Sequence, residues 1–121
     1  MKLWSVDVNQ AYIQAPAKNM RDLYCLPPAT LNLDGDELLK IMRPIYGLCE
    51  SNECWVTTIR QHHLDELCKE NLHTVNTLYF KRFTSHLVGM SGLYVDDVLR
   101  TGTEKWLEES SESQNTFDRK L

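Results

Sequence analysis

Apolar residues group into short runs over most of the chain, and in its middle they recur at a helical spacing instead. Short runs rich in β-branched and aromatic residues predict strands. Turn-forming residues separate these runs, and Asp34-Gly35 among them predicts a hairpin turn. The predicted strands cover residues 3–8, 23–26, 38–42, 75–83, 87–93 and 98–99.

A long helix is predicted between the third and fourth of these strands. From Ser51 onward, apolar and histidine positions recur at three- to five-residue steps, and either Ser51 or Asn52 caps this helix. A second helix spans residues 104–117 with Thr103 as its cap, and residues 9–20 form a short helix or a turn. The positions that indicate the long helix are Trp55, Ile59, His62, His63, Leu67 and Leu72.

This order of elements predicts an α+β fold in which helices pack on one face of an antiparallel sheet. With 121 residues, the chain is expected to form one domain over residues 1–121. Trp4 and Trp55 are expected in the core. Trp106 either anchors the last helix on the sheet or lies exposed.

Composition adds limits on location and partners. The formal net charge of −4 argues mildly against a nucleic-acid binder that relies on its own basic face. No apolar run approaches the ~20 residues of a membrane span, and residues 1–4 carry no signal-peptide pattern. An intracellular, reducing compartment is therefore expected, in which four cysteines stay free thiols: Cys25, Cys49, Cys54 and Cys68.

Candidate chemistry is concentrated in Asp96 and Asp97, which lie between two apolar runs and fit the tip of a tight β-hairpin. Unpaired burial of carboxylates costs free energy, and a divalent cation removes that cost, because Mg²⁺ prefers oxygen ligands. Asp7, in the first strand, can join them if that strand lies beside the hairpin. Three such carboxylates suit nucleotidyl transfer through two Mg²⁺ ions. The residues alone favour a simpler alternative, a solvated acidic turn.

Three blocks, in the same order, resemble the reverse transcriptases of copia-type LTR retrotransposons. Residues 6–12 are similar to that family's Asp-Val-x-x-Ala-Phe block, and residues 45–55 to its Leu-Tyr-Gly-Leu-Lys-Gln-Ser-Pro-x-x-Trp block. Residues 92–102 are similar to its Leu-Tyr-Val-Asp-Asp-x-Leu-Ile-x-Gly block. Residues 22–28 resemble a strand between the first two blocks, and residues 117–121 resemble the start of the following block. The resemblance therefore spans nearly the whole chain.

The resemblance implies the palm of an RNA-directed DNA polymerase, truncated so that fingers and thumb are missing. It assigns metal binding and catalysis to Asp7, Asp96 and Asp97, with Val8 offering its backbone carbonyl to the metal. It implies two Mg²⁺ ions, for which Mn²⁺ can substitute. The implied partners are an RNA or DNA template-primer, deoxynucleoside triphosphates and the rest of a Pol polyprotein (fingers, thumb, RNase H and integrase). The implied location is a cytoplasmic virus-like particle.

The same resemblance assigns nucleotide binding to Ala11, Tyr12, Tyr46 and Gly47, and it leaves the template and primer contacts unassigned. Tyr12 takes the place of an aromatic ring under the incoming sugar, where a ring favours deoxynucleotides by excluding a 2′-hydroxyl. Packing in the core is an equal alternative for Tyr12. Gly47 either lets the backbone approach a ligand closely or simply turns the chain before the helix.

Two departures from the family pattern argue against an active enzyme. Cys49 and Glu50 replace the Lys and Gln of the second block. A cation is thus lost and an anion gained near the expected nucleic acid, where the anion repels phosphate. Beside the polymerase hypothesis stands a second one, a truncated or co-opted retrotransposon remnant with no enzymatic role. The isolated chain is expected to be inactive.

A third hypothesis is a zinc site built from cysteine and histidine. The spacing of these residues matches no familiar pattern of zinc ligands. Buried thiols and histidines on a helix surface are therefore the preferred interpretation. The residues concerned are Cys49, Cys54, His62, His63, Cys68 and His73.

Overall fold

The computed structural model of the chain describes residues 1–68 and 70–119, with residues 114–119 described by their backbone only. The strands in these ranges are β1 (Lys2–Asp7), β2 (Tyr24–Cys25), β3 (Leu39–Lys40), β4 (Glu70–Leu72), β5 (Val75–Phe83), β6 (His86–Tyr94) and β7 (Asp97–Gly102). The helices are α1 (Ala11–Gln14), α2 (Cys49–His62) and α3 (Glu104–Arg119). A 3₁₀ turn covers Ala29–Leu31, and a π-helical turn over His63–Leu67 continues α2. None of the helices in these ranges combines the length and the hydrophobicity that crossing a bilayer requires.

Five strands form one antiparallel sheet in the order β1-β7-β6-β5-β4, and β2 pairs with β3 in a separate two-stranded sheet. Strands β5, β6 and β7 follow one another as hairpins, whereas β1 comes from the other end of the chain to pair with β7. The register of that pair places Asp7 opposite Asp97. The first strand therefore lies beside the β6–β7 hairpin, as the convergence of the three aspartates requires.

The predicted strands are confirmed, and the strand after the long helix is an addition. The β2–β3 hairpin turns at Asp34-Gly35, where the Glu37 amide donates to the Asp34 carbonyl at 3.1 Å. The prediction that the long helix includes Leu72 is wrong, because Leu72 lies in the short strand β4. The predicted last helix is confirmed as α3. Residues 117–121 resemble the start of the family's next block, and of these Lys120 and Leu121 lie outside the described residues.

The start of α2 also differs from the prediction. The helix begins at Cys49 with Leu48 as its N-cap residue. Ser51 lies inside the first turn and is fully buried, and its hydroxyl donates to the Ile45 carbonyl at 2.6 Å. Neither Ser51 nor Asn52 is therefore the cap; the Ser51 side chain instead ties the helix to the loop before it.

Helices α2 and α3 cover the same face of the five-stranded sheet. Strand pairing places Tyr79, Ser91 and Arg100 side by side on this face, and Val98 shares it because it lies two residues before Arg100. Two buried clusters fill the space between sheet and helices, and together they form the core. The first contains Val8, Ala11, Ala15, Cys54, Trp55, Ile59 and Val98, and the second contains Leu67, Cys68, Tyr79, Trp106 and Leu107.

The tryptophans show which face is the inner one. Trp55, which belongs to α2, is fully buried. Trp106 is 2% exposed, so of its two predicted positions, anchoring α3 on the sheet is correct and exposure is wrong. Trp4 is half-buried and packs against the second cluster. On the opposite face, Leu3 and Leu99 are 67% and 51% exposed. The sheet therefore has one face covered by helices and one open face.

A row of polar side chains lies inside this core. The His63 Nδ1 atom is 2.9 Å from the Ile59 carbonyl, and its Nε2 atom is 3.0 Å from the Ser91 hydroxyl. Burial, as the main cause, lowers the pKa of His63 to about 3. Arg100 is also buried; it donates to the Ser110 carbonyl at 2.9 Å, and burial lowers its pKa to about 10. The folded chain thus holds His63 neutral.

The buried imidazole predicts a loss of stability in acid. Since the pKa of His63 is about 3 in the folded state and about 6.5 when unfolded, the unfolded chain binds the extra proton between these values. We expect the free energy of unfolding to fall by about 1.4 kcal/mol per pH unit from this group as the pH drops from 6.5 towards 3. Urea unfolding across this range measures the slope.

The matched pair of variants for this measurement is His63→Gln and His86→Gln. Glutamine at position 63 keeps an amide that reaches for the Ser91 hydroxyl but does not titrate, so the slope should flatten. His86→Gln removes an exposed histidine and should leave the slope unchanged. An unaltered slope in His63→Gln would contradict the assignment.

The close approach of β6 to α3 generates a second prediction. A Cβ atom added at Gly89 would lie 2.3 Å from the Trp106 ring, whereas one added at Gly92 would meet nothing nearer than 4.0 Å. Overpacking a filled core destabilises a protein by about 1–3 kcal/mol. We expect Gly89→Ala to lower the free energy of unfolding by at least that amount. Gly92→Ala, on the same strand, should be neutral or slightly stabilising, and equal effects would refute the packing described.

Candidate metal centre at the β6–β7 turn

The pairing of β1 with β7 brings three carboxylates to one corner of the sheet. Asp7 lies opposite Asp97 in the ladder, and Asp96 precedes Asp97 in the β6–β7 turn. The Val8 amide donates to the Asp96 carbonyl at 2.9 Å, which extends the ladder beyond the last paired residues. One carboxylate oxygen from each aspartate lies within 4.8 Å of the others. The predicted convergence of the three residues is thus present.

The turn that carries Asp96 is strained. Strand β6 ends at Tyr94, which pairs with Asp97, so that Val95 and Asp96 form a two-residue turn. Val95 adopts a positive φ of 56°, a conformation that costs a β-branched residue about 1–3 kcal/mol. The Trp55 indole N–H donates to the Val95 carbonyl at 2.6 Å. A buried side chain of α2 therefore holds the turn in this conformation.

Two tyrosines lie beside the carboxylates. The Tyr46 hydroxyl is 3.4 Å from the Asp96 Oδ2 atom, and the Tyr46 ring centroid is 4.5 Å from that of Tyr12. Partial burial, followed by the negative charge of Asp96, raises the pKa of Tyr46, so it remains a hydrogen-bond donor at neutral pH. Tyr12 is half-buried and packs against the first core cluster. The pair thus links the core to the acidic corner.

The other residues assigned from the family resemblance differ in exposure. Gly47 turns the chain into α2 with a φ of +93°, a conformation natural to glycine. Ala11 is completely buried, and Val8 is 1% exposed. The side chains of Ala11 and Val8 therefore belong to the core, and any contact that either residue makes with a ligand uses its backbone.

Electrostatics make this corner a place for a cation. Two unit charges 4.8 Å apart repel by about 1 kcal/mol in water and by several times more near a protein surface. Carboxylate oxygens are the ligands that Mg²⁺ prefers, at about 2.0–2.1 Å from the ion. Asp7 and Asp97 are exposed and Asp96 is half-buried, so small rotations of the side chains can close the remaining distance. The donor set fits a hard divalent cation.

Zinc has no comparable site in the part of the chain that the structure describes. There, the three aspartates are the one group of three or more potential ligands with mutually close donor atoms. Cys54 and Cys68 are buried thiols, as expected, and burial raises the pKa of Cys68 to about 12. The expectation is wrong for Cys49, which is exposed at the start of α2. The expectation of surface histidines is wrong for His63, which is buried. Its environment is the polar row of the core.

The negative charge introduced at Glu50 is compensated. Its carboxylate accepts a hydrogen bond from the Arg21 Nε atom, and the two residues form an ion pair. This bond to Arg21 lowers the pKa of Glu50. The repulsion of phosphate expected from Glu50 is therefore reduced by a cation that lies 29 positions away in the sequence.

Comparison with known proteins identifies the family. The sequence profile of the family described as reverse transcriptase (RNA-dependent DNA polymerase) matches residues 1–118. The chain belongs to the reverse transcriptase family. A curated relative is the Transposon Ty1-NL2 Gag-Pol polyprotein of Saccharomyces cerevisiae, 30% identical over 67 residues, which is 55% of this chain and 4% of the polyprotein. No solved structure matches.

These matches confirm the resemblance to reverse transcriptases of copia-type retrotransposons. The chain spans 4% of the length of the curated relative that it matches. Within the reverse transcriptase sequence, the contact between Trp55 and Val95 was not predicted. The valine at the first position of the two-residue turn, a place that favours glycine, is a signal of strain in the turn, but it does not indicate which side chain contacts it.

The acidic corner predicts binding of a divalent cation with a defined set of residues. We expect Mn²⁺ to bind the chain. Binding is measured as the decrease of the free Mn²⁺ signal in electron paramagnetic resonance. Asp7→Asn, Asp96→Asn and Asp97→Asn each remove a ligand. Loss of a residue that hydrogen-bonds a metal ligand weakens metal binding by about 10- to 100-fold. Loss of a ligand itself should weaken Mn²⁺ binding by more than that.

The control for this titration is Asp36→Asn, which makes the same change of charge in the exposed β2–β3 connection. It should leave Mn²⁺ affinity within about twofold, since Asp36 is not one of the carboxylates whose oxygens lie close together and salt screens exposed charges outside the site. If Asp36→Asn weakened binding as much as Asp96→Asn did, the ion would be responding to net charge rather than to a site.

Proposed function

We propose that this chain is the metal-binding part of the palm of an RNA-directed DNA polymerase from a copia-type Pol polyprotein. In this role it adds deoxynucleotides to a primer 3′-hydroxyl on an RNA or DNA template. The observation that carries the proposal is the approach of Asp7, Asp96 and Asp97 to within 4.8 Å of one another. Membership of the reverse transcriptase family makes nucleotidyl transfer the chemistry that this arrangement serves.

Each residue of the corner has a role in this proposal. Asp7, Asp96 and Asp97, with the Val8 carbonyl, would hold two Mg²⁺ ions, for which Mn²⁺ can substitute. Magnesium held there would lower the pKa of the primer hydroxyl and would neutralise charge on the transferring phosphate and the leaving pyrophosphate. The carboxylates position these charges next to the open corner of the sheet, where Asp7 and Asp97 are exposed.

The nucleotide would bind beside the tyrosine pair. Tyr46 is 58% exposed and in contact with Asp96, so a sugar placed next to the carboxylates would meet its ring. Tyr12 packs against Tyr46, with the ring centroids 4.5 Å apart and the ring planes tilted by 51°. In this proposal Tyr12 is both a core residue and part of the surface that would exclude a 2′-hydroxyl. Gly47 keeps the backbone free of a side chain at this point.

The remaining partners follow from the same role. Template-primer and deoxynucleoside triphosphates are the substrates, and fingers, thumb, RNase H and integrase regions of a Pol polyprotein supply the contacts that this acidic chain lacks. Its formal net charge of −4 leaves most of the phosphate neutralisation to those regions. A cytoplasmic virus-like particle is the proposed location.

A second candidate function is a remnant with no enzymatic role, and one observation favours it. Arg100 stands where the quoted family block has an isoleucine, and it is completely buried. Buried ionic groups are often no more stabilising than apolar residues of similar volume. A chain that is not selected for enzymatic activity tolerates the replacement of the family's isoleucine by Arg100. The two candidates differ in whether the three aspartates support DNA synthesis.

Primer extension tests the choice between them. The chain is expressed together with the coding sequence that flanks it, and a DNA primer on an RNA template is extended in Mg²⁺. We expect Asp96→Asn to slow extension on the order of a thousandfold, because metal-dependent stabilisation of the transition state is worth several kcal/mol. Asp36→Asn should extend normally. Extension by the unmodified protein that does not exceed the Asp96→Asn background would support the remnant instead.

A further inference from the structure

The β6–β7 turn is held from two sides by hydrogen bonds to successive carbonyl groups. The Trp55 indole N–H donates to the Val95 carbonyl at 2.6 Å, and the Val8 amide donates to the Asp96 carbonyl at 2.9 Å. Trp55 comes from α2, and Val8 comes from the end of β1. The backbone that carries the Asp96 carboxylate is therefore fixed between the helix layer and the edge strand.

We infer that Trp55 is a positioning residue, which holds the Val95-Asp96 turn so that the Asp96 carboxylate lies beside Asp7 and Asp97. The inference rests on the proposed metal site for its functional meaning. The Trp55 hydrogen bond is made to the backbone of the turn, at the Val95 carbonyl. It acts through the Val95 carbonyl, which belongs to the peptide group that joins Val95 to Asp96.

The conformation of Val95 explains why the turn requires a tether. Of the two turn residues, Val95 has a positive φ of 56° and Asp96 does not, which is the pattern of a type II′ turn with its preference for glycine at the first position. A valine there strains the backbone, and the mutual repulsion of three carboxylates adds to the tendency of the turn to open. The Trp55 hydrogen bond opposes both.

Trp55 is also rigid enough for this task. Its side chain is completely buried and lies in the first core cluster with Ile59, Val8 and Val98. Val98 belongs to β7, the strand that leaves the turn, and Val8 follows β1. The indole ring thus lies in the same buried cluster as residues next to Asp7 and Asp97, while its N–H group reaches the β6–β7 turn.

A second buried tryptophan offers a matched control. Trp106 is 2% exposed and donates its indole N–H to the Leu67 carbonyl at 3.4 Å. This bond joins α3 to the π-helical turn, in the second core cluster rather than at the aspartates. Replacing either tryptophan by phenylalanine removes one indole N–H from the core, but only Trp55→Phe releases the metal-site turn.

The first measurement is amide hydrogen exchange of Val8, which reports on the turn without any metal. The Val8 amide is protected by the Asp96 carbonyl, so Trp55→Phe should speed its exchange relative to the amides at the other end of the β1–β7 ladder by about tenfold. Trp106→Phe should not speed Val8 exchange, because the Trp106 ring lies against Gly102 at the other end of that ladder. Val95→Gly in the Trp55→Phe chain should restore protection, because glycine adopts the positive φ without strain.

The second measurement is Mn²⁺ affinity of the same variants. Trp55→Phe should weaken binding by about tenfold or more, Trp106→Phe should leave it within about twofold, and Val95→Gly should return most of the affinity lost with Trp55. Equal exchange and equal affinity in the two phenylalanine variants, or no rescue by Val95→Gly, would overturn the inference. Faster Val8 exchange in a chain whose Asp96→Asn variant binds Mn²⁺ normally would uphold the tether and refute the metal site.

Discussion

Repulsion among Asp7, Asp96 and Asp97 is the constraint on which the rest of this structure depends. Their carboxylate oxygens lie within 4.8 Å, closer than solvated charges of one sign would settle by themselves. The fold holds them there by backbone pairing. The six residues of β1 pair along β7, and the residues of these strands that face the helices lie in the core with α2 and α3. Burial of the inner face of the sheet therefore holds the three carboxylates together, although the repulsion among them opposes this arrangement.

The sequence was sufficient to predict the strands and the residues that meet at this corner. Short runs of apolar, β-branched and aromatic residues locate β5, β6 and β7, and the family-like blocks place Asp7 in a strand and the Asp96-Asp97 pair in a hairpin before any geometry is known. Prediction failed after the long helix, where Leu72 continues the apolar spacing of Leu67 but lies in β4. Spacing alone does not distinguish one more helical turn from a short strand, because only the pairing of β4 with β5 decides between them.

The supporting contacts of the site were not predictable, since each joins residues that are distant in sequence. The Trp55 indole meets the Val95 carbonyl 40 positions later, and Arg21 pairs with Glu50 29 positions later. A tryptophan on an apolar helix face predicts core packing, which is true of Trp55, but the direction of its N–H group depends on the assembled fold. The same holds for His63, which was expected on the helix surface and whose ring instead reaches Ser91 on β6.

Strain and repulsion at the turn also connect folding with cation binding. An ion that binds the folded chain and not the unfolded one stabilises the fold by mass action, and here it would do so by cancelling the repulsion that opposes the turn. Cation binding by the corner therefore follows from its geometry whether or not the chain polymerises DNA. What separates an enzyme from a remnant is the substrate side of the site. There the family-like block has lost a lysine at Cys49 and gained an acid at Glu50, and Arg21 has neutralised that acid. Neutralisation removes a repulsion but leaves no net attraction for phosphate, so DNA synthesis at this corner would require cations that Cys49, Glu50 and Arg21 do not supply.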